Sequence, residues 1–261
     1  MGNIFDALQH AERFRTGQDA NMSAPEPGGD NRPIAPLPEP RTAAGLPVKR
    51  QPPPGIEQEM ISLYQHIDCR MADIPKRAIQ FISSSDGEGV STVVREFARF
   101  ASMVLGKTVL IVDAAHRNPS QHLYFDIGFQ RGWGDALEQR EKMEQTVYGT
   151  SNSRLYVSPL VPHAPLSPRI YDCEATSNLL NEMKRRFDLV LIDSSPATQS
   201  PDSLAFSRCV DGVVLVVEAE KTRRQVAEMV KGKIEKSGGT VLGVVLNKRR
   251  YHIPESIYRR I

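Results

Sequence analysis

The chain contains six short apolar runs, AIQFISS, TVLIVDA, RLYVSPL, DLVLID, GVVLVVEA and TVLGVVLN, each rich in Val, Ile and Leu. Several are apolar throughout. A strand with one wet face would alternate polar and apolar residues, so these runs predict strands buried on both faces of a parallel sheet. IEQEMISLYQHIDCRM reads as a helix leading into the core. STVVREFARFASMVLG, the segment around residues 177–186 and KTRRQVAEMVKGKIEKSGG carry helical spacing between the strands. This alternation predicts an α/β domain over residues 56–248: a doubly wound, mainly parallel sheet with helices on both faces. Ligands of such sheets sit beyond the carboxyl ends of the strands.

The chemistry-bearing residues fall at those ends. The first strand runs into SSSDGEGVST, where a turn of Gly87, Glu88 and Gly89 can bring backbone N–H groups close to a phosphate. A helix predicted to open at Ser91 adds its positive end. Ser91 is placed to touch a magnesium ion and Thr92 a phosphate. Val90 stands where a phosphate-binding loop usually has lysine. The second strand delivers Asp113, followed by Arg117 and Asn118. A carboxylate there can hold magnesium through water or polarise an attacking hydroxyl. FDLVLIDSSPA brings Asp193 to the same edge, as an acidic residue reaches the metal of a nucleoside triphosphate. Alone, each aspartate could equally be a helix cap; together, in this order, they predict a nucleotide-type pocket.

Composition narrows the partners. Lys plus Arg (33) nearly balances Asp plus Glu (31), so the chain lacks the basic footprint of a nucleic-acid binder. No apolar run approaches the length that spans a bilayer. Cys69, Cys173 and Cys209 lie far apart in sequence, without the pairing of a disulfide framework or a zinc site, and are expected to be reduced cytosolic thiols. More than half of the 19 prolines lie in residues 17–55, which are expected to form a disordered tether. Ahead of it, residues 1–16 include IFDALQHAERF, a short amphipathic pattern that fits a docking peptide or a frayed terminus. Residues 249–261 form a basic tail with Tyr251 and Tyr258. Such a tail could add attraction to anionic lipid, about 1 kcal/mol per basic residue, or simply be solvated.

The order SSSDGEGVST, VLIVDAAHRNPSQH, GWGDALEQ, LYVSPL, FDLVLIDSSPA, DGVVLVVEAEKTRR and VLGVVLNK resembles the cytoplasmic domain of bacterial tyrosine kinases of capsule and exopolysaccharide synthesis. MGNIFDALQHAERF is similar to the N-terminal peptide of their stand-alone members. The resemblance implies a P-loop NTPase-like fold with ATP and Mg2+ as cofactors. It also implies a cytoplasmic location, peripheral to the inner membrane through a chain-length (co-polymerase) partner. Ser91, Thr92, Asp113 and Asp193 would then take phosphate and magnesium roles, and Asn247 would lie at the adenine.

The departures concern catalysis. Val90 cannot supply the charge that lysine gives to the β- and γ-phosphates. Ala115 replaces a second aspartate usual in the second motif, and Tyr251 and Tyr258 are all that remains of a tyrosine-rich tail. The Glu and Arg spacing of the family's ring-forming helix is absent from IEQEMISLYQHI, which leaves self-association open. Weakened or lost phosphotransfer on a retained scaffold is therefore expected. The alternative is an active autokinase, with Asp113 as base, Asp193 on the metal, Arg117 or Lys107 as substitute cation and Tyr251 or Tyr258 as acceptor. A partition-type ATPase is disfavoured because SSSDGEG lacks that class's extra lysine.

Overall fold

The computed structural model describes residues 56–161 and 168–249. The expected docking peptide, the linker, Tyr251 and Tyr258 lie outside the described residues. Seven strands, β1 (Arg77–Ser83), β2 (Val109–Ala114), β3 (Tyr148–Gly149), β4 (Leu155–Ser158), β5 (Leu189–Ser194), β6 (Gly212–Glu218) and β7 (Val241–Asn247), form one sheet. Their order is β3-β4-β2-β5-β1-β6-β7. Every neighbouring pair is parallel except β3 with β4. The helices are α1 (Ile56–Arg70), α2 (Val90–Met103), α3 (Gln121–Tyr124), α4 (Trp133–Leu137), α5 (Cys173–Arg186), α6 (Pro201–Ser207) and α7 (Arg224–Lys236).

The uniform apolarity of the central strands has a direct cause. Side chains alternate across a strand with a period of two, and both faces are covered. Ile79 and Phe81 of β1, Val109 and Ile111 of β2, and Leu189 and Leu191 of β5 share one core with α1 and α2. Leu110 and Val112, with Val190 and Ile192, face a second core containing Leu180 and Met183 of α5 and Phe206 of α6. Val213 and Leu215 of β6 meet Val230 and Ile234 of α7. Helices therefore lie on both faces, as the alternation of runs predicts.

α2 supplies Val90, Val93, Val94, Phe97, Ala98 and Ala101 to the first core, a single stripe at spacings of three and four. It begins at Val90, one residue before the expected Ser91, because Gly89 in the left-handed region ends the turn and serves as its N-cap. α5 likewise begins earlier than expected, where Asp172 accepts hydrogen bonds from the N–H groups of Glu174 and Ala175 at 3.0 and 3.3 Å.

One expectation requires correction, and one contact was not anticipated. Lys107 precedes β2, at the amino end of the strand, whereas Asp113 lies near its carboxyl end; Lys107 acts electrostatically on Asp188 instead. It is therefore not a substitute cation for the loop. Cys173 and Cys209, remote in sequence, are neighbours in space: their sulfurs are 3.0 Å apart. Among the described residues, no helix is long and apolar enough to cross a membrane.

Candidate nucleotide site

β1 ends at Ser83 and α2 starts at Val90, so residues 84–89 form the connection. Gly87 and Gly89 have φ of 80° and 91°. At Gly89 a side chain is excluded twice over, because an added Cβ would lie 2.3 Å from the Asn247 amide nitrogen. That amide, on the last residue of β7, donates to the carbonyl of Glu88 at 2.8 Å. The Glu88 carboxylate folds back into the loop and is 3% exposed. It accepts from the N–H groups of Ser84 and Ser85 at 2.7 and 2.9 Å and from the Ser84 hydroxyl at 2.8 Å. Thr222, between β6 and α7, donates a further bond to it. Glu88 thus braces the loop from within. Among the described residues, no hydrogen bond of the fold uses the N–H groups of Gly87, Gly89, Val90 or Ser91.

Beside this turn lies a hollow of about 410 Å³, lined by the loop, by Ala115, Arg117 and Asn118 after β2, and by Ser194, Ser195 and Pro196 at and after the end of β5. Val90 borders it but is 7% exposed and belongs to the first hydrophobic core. The valine is thus packed into the core as well as lacking the charge. Arg117 is the basic residue in the lining. It is exposed and has no partner among the described residues. The Ser195 hydroxyl is buried without a hydrogen bond.

Asp113 and Asp193 do not line the hollow. Both are fully buried behind it. They are register partners on β2 and β5. Asp113 accepts from the N–H groups of Ser120, Gln121 and Ala115 at 2.9, 3.0 and 3.2 Å. It thereby fastens the start of α3. Asp193 accepts from the Gln121 side-chain amide at 2.6 Å, and its other oxygen has no partner. Burial pushes Asp113 up to about 6, against the pull of its three N–H donors. Burial and the charge of Asp113 push Asp193 up to about 7, opposed by the Gln121 hydrogen bond and the nearby Ser91 hydroxyl. Two carboxylates so placed titrate as a pair.

Gln121 ties these parts together. Its amide also donates to the Ser91 carbonyl at 3.3 Å, and its oxygen accepts from Arg95 of α2 at 3.1 Å. Arg95 in turn donates to the Ser120 hydroxyl at 2.9 Å. Sequence reasoning missed Gln121 and Arg95, whose roles depend on the return of the chain after β2. The orphaned Asp193 oxygen, beside a Ser91 hydroxyl that opens a helix, fits the donor set of a magnesium ion that also takes oxygens from a phosphate. Asp113 has less to offer a metal directly, since its oxygens already hold three N–H groups.

No protein-family model matches the chain. It is 27% identical over 207 residues to the putative tyrosine-protein kinase CapB of Staphylococcus aureus, covering 79% of this chain and 90% of that one. The crystal structure of the chimerical protein CapA2B2 aligns with a TM-score of 0.68 at 25% identity, covering 83% of this chain and 95% of that one. The septum site-determining protein MinD complexed with Mg-ADP, from Pyrococcus horikoshii, shares the fold with a TM-score of 0.58 at 22% identity, over 70% of this chain and 76% of that one. The fold, a mainly parallel sheet with helices on both faces, is shared with these solved structures.

Proposed function

We propose that the chain, 27% identical over 207 residues to the putative tyrosine-protein kinase CapB, belongs to the bacterial tyrosine kinase family and acts there chiefly as a nucleotide-responsive regulatory protein with weakened phosphotransfer. Its partner would be an inner-membrane chain-length protein of capsule or exopolysaccharide synthesis, which would hold this domain at the cytoplasmic face. The observation that carries the reading is Val90. The hollow keeps unpaired N–H groups and the Ser91 and Thr92 residues, with two strand-end aspartates buried behind it, while the position of the phosphate-spanning cation is filled by an apolar side chain turned into the core.

Magnesium, when bound with ATP, would neutralise charge on the phosphates. Ser91 and Asp193 are the residues that would hold it. The loop N–H groups would receive phosphate oxygens, Thr92 a further one, and Asn247 would stand near the base. A charge-assisted hydrogen bond of the kind Val90 cannot make contributes about 1.5–3 kcal/mol. Losing a stabiliser of transition-state charge costs on the order of 100- to 1,000-fold in rate.

A second reading, an active autokinase with Arg117 as replacement cation and Tyr251 or Tyr258 as acceptor, is favoured by the unpartnered guanidinium at the rim. Against it, the base it requires, Asp113, is buried and holds three backbone N–H groups.

Calorimetric titration of ATP and magnesium into the wild type and Val90→Lys, followed by a phosphotyrosine assay, tests the choice. The expected result is weak binding by the wild type and a gain of about tenfold or more in the variant. Tight wild-type binding that falls in Arg117→Ala, with labelled tyrosine, would establish the second reading instead.

A further inference from the structure

Two thiols that the nucleotide chemistry does not use lie against each other on the face of the sheet covered by α5 and α6. Cys173 is the first residue of α5, and Cys209 lies two residues beyond the end of α6. Their sulfurs are 3.0 Å apart. Nonbonded carbon atoms settle at about 3.5–4.0 Å, and a disulfide bond is about 2.0 Å long. Roughly 1 Å of further approach would therefore join them.

The closeness is built from both flanks. Tyr171, two residues before Cys173, donates its hydroxyl hydrogen to Asp202 of α6, and its carbonyl accepts from Arg208, next to Cys209. Asp172 caps α5. The Cys209 N–H is held by the Phe206 carbonyl at 2.9 Å. Leu180, Met183 and Phe206 anchor the two helices in one core. Both sulfurs are half-buried, whereas Cys69 is exposed and elsewhere on α1.

We infer that Cys173 and Cys209 form a vicinal dithiol site that reacts with low-molecular-weight disulfides to give an intramolecular disulfide. In the first step the Cys173 thiolate attacks one sulfur of the reagent, forming a mixed disulfide and releasing one thiolate. In the second the Cys209 sulfur, giving its proton to solvent, attacks Cys173 and expels the other thiolate. The protein loses two protons and two electrons, and the reagent is reduced to two thiols. The order follows from the surroundings: burial, with the adjacent Cys173, pushes Cys209 up to about 11, so its proton is the last to leave. The new bond would enclose β5, with Asp193 and the Ser194–Ser195 edge of the hollow, in a covalent loop.

The test uses the full chain, reduced, desalted, exposed to oxidised glutathione, then trapped with iodoacetamide and mapped by mass spectrometry. The expected product has lost two hydrogens, links the Cys173 and Cys209 peptides and leaves Cys69 alkylated or carrying glutathione. Its Tm should exceed that of the reduced protein by several degrees, on the order of a disulfide closing a loop of this size. Cys209→Ser should instead accumulate glutathione on Cys173, and Cys69→Ser should still form the link. Alkylation of both cysteines in the exposed wild type, or stable glutathione on either without a link, would overturn the assignment.

Discussion

Asp113 and Asp193 are register partners on adjacent strands, and one residue, Gln121, bonds to both: its backbone N–H to the first at 3.0 Å and its side-chain amide to the second at 2.6 Å. The pair is thereby held behind the hollow. Negative charge sits close to where phosphate charge would arrive, without a lysine between them. Arg95 lies on the other side of Gln121 and draws both carboxylates towards ionisation, but burial outweighs it. The site has a charge imbalance that a divalent cation would relieve.

A pH dependence follows. Both folded-state values, about 6 for Asp113 and about 7 for Asp193, lie above an unfolded aspartate at about 3.9. The folded protein binds more protons over that interval, so this contribution is fully present below about pH 4 and is lost as pH rises through about 6–7. Each extra bound proton changes stability by no more than about 1.4 kcal/mol per pH unit. Asp193→Asn keeps the shape and removes the charge. Thermal melts without nucleotide should show the variant gaining on the wild type as pH rises from about 5 to about 8. Parallel curves would mean that the pair is not strained by its own charge.

Gln121→Leu removes the one hydrogen-bond donor to Asp193 that comes from another element on the far side of the loop, and leaves that oxygen buried. The cost should be about 1–3 kcal/mol. In Asp193→Asn the same change should cost less, since a neutral amide loses less than a carboxylate when its partner is withdrawn. Denaturant melts of the four proteins give the coupling directly. Additive losses would place the role of Gln121 in its packing against Arg95 alone.

What could be read in the sequence follows from how each part is specified. β1, β2, β5 and β6 are legible because both faces are buried, which makes them apolar throughout. The two-residue β3 and the short α3, α4 and α6 are too brief for any periodicity to register. The loop was legible because glycine is required at positive φ, and Val90 because its neighbours fix which position it fills. Gln121, Arg95 and the brace at Glu88 were not, since their partners are long-range or lie across a turn that the sequence does not dimension. The thiol contact escaped for the same reason: residues separated by β5 and α6 meet only once two helices share a core.

Gly87 and Gly89 separate backbone strain from crowding. Both have positive φ, but an added Cβ at Gly87 meets nothing within 4 Å, whereas at Gly89 it lies 2.3 Å from the Asn247 amide. Gly87→Ala should cost about 1 kcal/mol from conformation alone. Gly89→Ala should cost about 2–3 kcal/mol, because the amide must also give up its bond to the Glu88 carbonyl. Adding Asn247→Ala to Gly89→Ala should recover only the crowding. Equal losses for the two alanines would show that Asn247 yields freely.

Glu88 decides whether the loop holds its shape without a ligand. Two backbone N–H groups and two hydroxyls converge on its carboxylate. A glutamine at this position keeps one oxygen for the N–H groups, and the Ser84 and Thr222 hydroxyls can reverse to accept from its amide nitrogen. Glu88→Gln should therefore lose about 1 kcal/mol, whereas Glu88→Ala strands the N–H groups and should lose about 2–4 kcal/mol. The more specific reading is hydrogen exchange at Ser84 and Ser85, which should accelerate strongly in the alanine variant and weakly in the glutamine one. The loop's free N–H groups can meet a phosphate only if the turn is already formed, so nucleotide affinity should fall in the same order. Unchanged exchange in Glu88→Ala would mean that Asn247 and the two glycines suffice to hold the turn, and the carboxylate would then be a passenger.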